Sequence, residues 1–454
     1  MLKKILVANR GAVARRILRA ARALGIGTVA VYSDADAGLS YVEEADEAYR
    51  IGAAPPAASY LRIEALLDVA RRAGADAVHP GYGFLSESPA FAQAVGAAGL
   101  CFVGPSPRWL STMGHKTRAR DLMRKLGIPV GPGTGVLAGP PSADLDAVRA
   151  IGTPVIVKPA GGGGGIGMQA LHSLELLPAA LERARALAQA AFGCADVYAE
   201  RLLAGARHIE FQIIGDRYGR VAHLFDRECS IQRRHQKLIE EAVAPLPERS
   251  RIEAMAARVA RVMGDIGYDS IGTVEMLWTA DAGFSFLEMN TRLQVEHGVS
   301  EEVTGVDIVQ AQIRLAAGER LEEVLPRSVE ARGHSIQLRI CAEDPLRFLP
   351  SPGVLRTLAL PAGKGIRVES GYEAGKRISP HYDSLIAKLI VKGASRADAL
   401  ARAAAALDEC RIEGVKTNVA FLAAVLRDAE FLAGNIDLGL AERVRSALAA
   451  PAAA

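Results

Sequence analysis

The sequence predicts a multidomain protein of α/β and α+β class, with three units as the central expectation. Three observations carry that prediction. At roughly 100–200 residues per domain, a chain of 454 residues holds two to four domains. The first hundred residues alternate strand-like and helix-like segments, the pattern of a parallel sheet with helices packed on it. Beyond Pro326 the pattern changes to shorter strands followed by two helices.

The elements follow in order. The run Lys4-Ile5-Leu6-Val7-Ala8 reads as a buried strand, and Asn9-Arg10-Gly11 as the turn after it. Val13, Ile17, Leu18, Ala21 and Leu24 recur at helical spacing and end at Gly25. Residues 28–33 form a second strand, which completes a β-α-β start. The same alternation continues through a helix at 61–74, a strand at 77–79, a helix at 90–99 and a strand at 101–103. Pro105-Ser106-Pro107 is a turn-rich boundary. A helix at 116–127 leads into two glycine and proline clusters, 131–135 and Gly139-Pro140-Pro141, which read as hinge punctuation. A strand at 155–158 then runs into five consecutive glycines. A Leu/Ala/Arg helix at 174–191 and strands at 197–200, 208–215 and 221–227 come next. Strands at 272–278 and 284–290 are close enough in sequence to pair, and a helix at 307–317 follows. The last part holds strands at 335–342, 366–369 and 386–391, helices at 396–411 and 417–428, and a low-complexity tail expected to fray.

Composition excludes several classes. Half the residues are hydrophobic, enough for a sizeable core, so the chain is not disordered. Aromatics are 5%, which disfavours a single-strand nucleic-acid binder built on stacking. The 54 basic and 51 acidic residues nearly cancel, so nothing calls for a nucleic-acid partner. No apolar run reaches the ~18 residues of a membrane span. The apolar stretch at 5–8 stops too soon for a signal peptide. Residues 10–22 are basic and amphipathic, the alternative being a transit peptide, but they read well as part of the fold. The five cysteines are far apart and none forms Cys-x-x-Cys, so a reducing cytoplasm is expected.

Five stretches carry chemistry. Glycine makes up 45 residues, about a tenth against a usual ~7%. Part of that excess is the run 161–165, set directly after a strand ending at Lys158. Glycine lets backbone N–H groups wrap a phosphate without side-chain clash, and the lysine suits a polyphosphate. No Gly-Lys-Ser/Thr closes the run, so it is not a Walker A loop; the alternative is a flexible linker. Glu275 and Glu288 lie on strands expected to pair, and Asn290 shares the face of Glu288. Together they make a hard-oxygen site suited to Mg²⁺ on nucleotide phosphates, or else the glutamates are two solvated strand residues. The segment Asn290-Thr291-Arg292-Leu293-Gln294-Val295-Glu296-His297 is dense in groups that bind a small anion and move a proton. The run 227–237 is basic but contains Cys229, Gln232 and His235, which is unusual for a plain solvated patch. His79-Pro80-Gly81-Tyr82-Gly83-Phe84-Leu85-Ser86-Glu87 follows a strand of the first unit, where open parallel sheets bind ligands.

Taken in this order, these stretches resemble biotin carboxylase of the ATP-grasp superfamily. The resemblance adds Arg339, Ala342-Glu343-Asp344-Pro345, Phe348 to Gly353, Tyr382-Asp383-Ser384 and Gly414-Val415-Lys416-Thr417-Asn418, and covers the chain to about residue 445. It implies a Rossmann-like N-terminal domain (1–113), an ATP-grasp domain (114–325) with a mobile lid at about 131–203, a C-terminal biotin carboxylase domain (326–446) and a frayed tail (447–454). It implies that MgATP (or the Mn²⁺ form), bicarbonate and biotin give carboxybiotin, ADP and phosphate through carboxyphosphate. In that reading Lys116, Lys158, His208, Gln232 and His235 contact ATP, with Gly164, Gly165 and Met168 over its phosphates. Glu200, Arg201, Leu202 and Leu203 hold the adenine, and Glu275, Glu288 and Asn290 hold the metal, the two glutamates also contacting ATP. Lys237, Arg292, Gln294 and Val295 bind bicarbonate, Glu296 is its base, and Arg339 with Tyr82 binds biotin.

The resemblance further implies a cytoplasmic homodimer serving an acyl-CoA carboxylase, with acetyl-CoA and fatty-acid synthesis as the expected setting. No Met-Lys-Met or Met-Lys-Leu attachment site occurs, so biotin is expected on a separate carrier protein, with a separate carboxyltransferase. Four positions depart from the family pattern. Ile166 replaces a lid cation, His115 an acid before Lys116, Ala12 an acid after Asn-Arg-Gly, and Gly298 a proline after Glu-His. Two alternatives follow: a catalytically silent regulatory or scaffold homologue, motivated by Ile166, and another ATP-grasp ligase of carbamoyl-phosphate-forming type.

Overall fold

The computed structural model describes residues 2–139 and 141–450. Pro140 of the expected hinge and residues 451–454 of the expected tail lie outside the described residues. The first residues of the expected tail, 447–449, are not frayed: they are the last turn of a helix, Leu440–Ala449.

The N-terminal run folds as expected. Five parallel strands lie in the order Glu47–Gly52, Gly27–Ser33, Lys4–Val7, Ala77–His79, Cys101–Phe102. Helix Gly11–Ala23 buries Val13, Ile17 and Leu18, and helix Ile63–Ala73 buries Leu66 and Val69, so the sheet is covered as its apolar strands require. The C-terminal end of Ala77–His79 leads into the loop that carries Glu87, and Glu87 reaches Arg292 of the central unit.

A three-stranded antiparallel sheet holds the glycine run. Val155–Pro159 lies between Gln169–Leu171 and Val197–Arg201. Helices Pro141–Ile151 and Leu177–Phe192 pack on it, around Val148, Val155, Val157, Leu181 and Ala184.

An eight-stranded sheet forms the rest of the frame. Its order is Gly283–Asn290, Ile271–Thr279, Arg207–Gly215, Val221–Arg233, Gln236–Ala242, His334–Cys341, Leu385–Gly393, Ile366–Ser370. Strands from both sides of residue 326 therefore join one sheet, through the pairing of Gln236–Ala242 with His334–Cys341. The mixed α/β architecture matches the expected class.

Several elements were not read from the sequence. The edge strand Glu47–Gly52 (sequence EAYRIG) has too few apolar residues to signal itself. Helix Arg249–Asp265 hides its buried stripe of Ile252, Ala256, Val259 and Met263 among arginines and alanines. The basic run 227–237 is two strands and their turn, and Arg227 is fully buried, so it is no solvated patch. Helix His297–Thr304 follows directly on the polar segment read as one loop.

Candidate active site

Strand register builds the site. Arg227, Glu210, Glu275 and Glu288 sit directly opposite one another on four successive strands. Like charges so placed repel, and the fold answers with cations. Arg227 pairs with Glu210 at the buried end of the row. Lys116 Nζ lies 2.8 Å from Glu288 Oε2 at the other. Between them Lys237 Nζ contacts Glu275 Oε1 and Glu296 Oε1 at 2.7 Å each, and Glu210 as well. His208 Nε2 adds a contact to Glu275 Oε2 at 3.2 Å, while Gln232 meets its Nδ1 at 3.0 Å.

Glu296 is fully buried behind this row and also accepts from Arg339 Nη2 at 2.9 Å. Arg339 is held from the other side by Glu240. Burial alone would raise the Glu296 carboxyl, but Lys237, Arg339 and Arg227 outweigh it and hold the group well below the usual carboxylate range. The same contest, burial against Lys237 and His208, leaves Glu275 well below that range. Burial would lower the Lys237 ammonium, yet Glu210, Glu275 and Glu296 drive it well above its ordinary value. The result is a set of fixed charges that stay ionised at neutral pH.

Arg292 is aimed by three neighbours. Its Nε meets Glu87 Oε2 at 2.8 Å, Nη2 meets Asn290 Oδ1 at 2.8 Å and Nη1 meets Gln294 Oε1 at 3.1 Å. Asn290 Nδ2 in turn donates to Glu275 Oε1 at 2.7 Å, so Asn290 shares the carboxylate face. Two carboxylates and an amide oxygen on one face suit a hard divalent cation, so the donor set fits Mg²⁺.

The side that carries the glycine run is different in kind. Lys158 Nζ lies 2.7 Å from Glu200 Oε2, and Arg120 and Tyr198 bind the other carboxylate oxygen. That leaves the Glu200 side chain fully engaged. The glycine run reaches across to the hairpin tip, where a Cβ on Gly165 would stand 2.6 Å from His235.

A cavity of about 1250 Å³ joins these parts. Of the sequence-predicted site residues, it brings together Lys116, Lys158, Gly164, Gly165 and Met168 with Glu200 to Leu203, His208, Gln232 and His235. Lys237, Glu275, Glu288, Asn290, Arg292, Gln294, Val295 and Arg339 line it too. Two predicted residues are not among its lining. Glu296 stands behind Lys237 and Arg339, and Tyr82 is half-buried with its carbonyl bound by Asn9 Nδ2 at 2.8 Å. Sequence reading missed Glu210 and Glu240, buried partners of Lys237 and Arg339, and Arg227, the partner of Glu210. The one signal for Glu210 was its period-two spacing from His208 on one strand.

Three family descriptions match in succession. "Biotin carboxylase, N-terminal domain" matches residues 1–110, "Carbamoyl-phosphate synthase L chain, ATP binding domain" 115–324 and "Biotin carboxylase C-terminal domain" 337–443. The chain is 46% identical over 445 residues to the biotin carboxylase of Pseudomonas aeruginosa, covering 98% of each protein. The chain belongs to the biotin carboxylase family. It is an ATP-dependent ligase of that family. It is also 46% identical over 446 residues to a pyruvate carboxylase subunit of Methanothermobacter thermautotrophicus, covering 98% of this chain and 90% of the other. Among solved structures it is similar to the biotin carboxylase domain dimer of Hydrogenobacter thermophilus 2-oxoglutarate carboxylase, in complex with MgADP, ADP and bicarbonate. The TM-score is 0.95 at 42% identity, over 98% of this chain and 99% of that one. The biotin carboxylase of Campylobacter jejuni, in a β,γ-ATP complex, gives 0.94 at 41%, over 98% and 99%. Among the described residues no helix is long and apolar enough to cross a membrane, and all five cysteines are free.

Proposed function

We propose that this biotin carboxylase uses MgATP and bicarbonate to carboxylate biotin on a separate carrier protein, as the first half-reaction of an acetyl-CoA carboxylase. The observation that carries the reading is Glu296, kept ionised by Lys237 and Arg339, which line one end of a cavity whose other end holds Lys116, Lys158 and the glycine run.

ATP binds with its adenine along Glu200 to Leu203 and its phosphates between Lys116, Lys158, Gly164, Gly165 and Met168. His208, Gln232 and His235 complete that end. Glu275, Glu288 and Asn290 hold the metal, whose charge offsets that developing on the transferring phosphoryl group. Bicarbonate sits against Lys237, Arg292, Gln294 and the Val295 N–H. Glu296 takes its proton, and the freed oxygen attacks the γ-phosphorus to give carboxyphosphate and ADP. As bicarbonate draws Lys237 away from Glu296, that carboxylate gains basicity where it is needed. Carboxyphosphate then splits to CO₂ and phosphate. The phosphate just released takes the proton of biotin's ureido nitrogen, which forms the new N–C bond to CO₂. Arg339 stabilises the resulting enolate-like biotin, with Tyr82 beside it.

The names of the relatives span biotin carboxylase, pyruvate carboxylase and 2-oxoglutarate carboxylase. The acceptor is thus set by other polypeptides, and a homodimer with a separate carrier and carboxyltransferase is the assembly we propose. The test is bicarbonate-dependent ATP hydrolysis with and without free biotin. Stimulation is expected, and its absence counts against the reading. Identifying the biotinylated protein that co-purifies with the chain, then offering acetyl-CoA or pyruvate to the complex, decides the acceptor.

A further inference from the structure

Residues 294–296 form the turn before helix His297–Thr304, and each of two successive peptide units in it is gripped by a buried side chain. His297 Nδ1 lies 2.7 Å from the Gln294 carbonyl oxygen. A carbonyl only accepts, so that ring nitrogen carries the proton. Lys388 Nζ donates to the Val295 carbonyl at 3.0 Å, and its side chain is 0% exposed. A trans peptide unit is planar, with its C=O and N–H opposed. Drawing the Gln294 carbonyl toward His297 therefore points the Val295 N–H the opposite way. Drawing the Val295 carbonyl toward Lys388 fixes the peptide plane that enters Glu296. Val295 lines the cavity, whereas neither His297 nor Lys388 does.

Both grips are costly to keep. Burial pushes the Lys388 ammonium down, and Glu369 is the partner that opposes this. Burial, reinforced by nearby Lys388, holds His297 neutral, and its Nε2 finds no hydrogen-bond partner. Buried ionic and half-satisfied polar groups add little net stability compared with apolar side chains of the same size. Their geometric effect falls on two residues at the reacting end of the site.

We infer that His297 and Lys388 are positioning residues that aim the Val295 N–H and the Glu296 carboxylate at bicarbonate. This rests on the proposed bicarbonate roles of Val295 and Glu296. The test measures bicarbonate and ATP KM separately on His297→Asn and His297→Gln. An Asn amide places a donor near Nδ1, whereas Gln places it near Nε2. Misplacing the reacting groups predicts a bicarbonate KM about tenfold higher and a lower kcat for His297→Gln, with ATP KM within about threefold. His297→Asn keeps both within about threefold of the parent. Equal effects of Asn and Gln, or a parallel rise in both KM values, overturn the inference. The double variant Lys388→Met/Glu369→Gln removes both buried charges together and is expected to show the same bicarbonate-selective loss. An unchanged bicarbonate KM there overturns the role of Lys388. Arg292→Ala separates the two levels. If it leaves bicarbonate KM unchanged, the bicarbonate reading falls and the inference with it. If it raises that KM while His297→Gln does not, the positioning inference alone falls.

Discussion

Lys237, on the floor of the cavity, touches three carboxylates and is 11% exposed, whereas Ile166, on the glycine run above it, is 47% exposed. The floor is a continuous network of buried charges on paired strands. The run is glycine at every position from 161 to 167 except Ile166, with positive φ at Gly162, Gly164, Gly165 and Gly167. The contrast separates two demands on one site. Charges that stabilise a transition state act most strongly when fixed and shielded from water. A cover that admits and releases a nucleotide must have few contacts to break.

Changes on the floor should therefore strike turnover, and changes on the cover nucleotide affinity. The largest expected effect is Glu296→Gln. It keeps the shape and removes the proposed base, so kcat should fall by about 10²–10⁴-fold. Calorimetry should show MgADP binding unchanged, because Glu296 lies away from the Lys116 and Lys158 end. Retained turnover would place the base elsewhere and erase the contrast.

On the cover, Gly165→Val puts a branched side chain at φ +73°, with its Cβ 2.6 Å from His235. Closure against the hairpin tip is then blocked. ATP KM should rise about tenfold, from strain of order 1–2 kcal/mol felt only on closing. The urea midpoint should barely move, since the run contributes little to the core. A loss of stability together with activity would mean that the run is part of the frame after all.

Acid sharpens the comparison, because residues 161–167 contain no titratable side chain and the floor is full of them. Glu275 and Glu296 lie below their unfolded values, so their contribution is present above about pH 4.3 and fades only as pH falls below it. The buried histidines act earlier. Burial pushes His79 down to about 3 and holds His297 well below its ordinary value. Below pH ~6.5 the unfolded chain takes up protons that these two rings refuse in the fold. Stability should therefore drop by up to ~1.4 kcal/mol per pH unit for each as pH falls from 6.5 toward 4.5. Urea unfolding at pH 7.5 and 5.5 measures the slope, and His297→Asn should roughly halve it. A flat profile would show that the rings are charged or hydrated in the fold.

The same contrast explains what was legible in the sequence. Local signals sufficed for the cover, because consecutive glycines after Lys158 are visible in one glance at 158–167. They also sufficed for elements with clean periodicity, such as helix Gly11–Ala23. The expected pairing of the Glu275 and Glu288 strands was correct, and the structure adds the register that sets them opposite each other. The partners of the floor were not legible. Glu210, Arg227 and Glu240 come from different strands, and only the sheet order brings them beneath Lys237 and Arg339. A charged residue within a strand is ambiguous until its cross-strand neighbour is known, which is a long-range fact.

The smallest expected effect concerns Ile166, the single position on the run able to present a side chain. Ile166→Arg adds a cation at an exposed position over the proposed phosphate site. An exposed charge is screened and costs side-chain entropy to fix, so its gain should be about 0.2–1 kcal/mol. That corresponds to an ATP KM lower by no more than about fivefold, and more strongly so at low salt. The kcat should stay the same or fall slightly, because tighter cover contacts slow the opening that releases ADP. Stopped-flow release of a fluorescent ADP analogue reads that step directly. A large gain in kcat instead would mean that Ile166 limits chemistry, and that the cover, like the floor, contributes charge to the transition state.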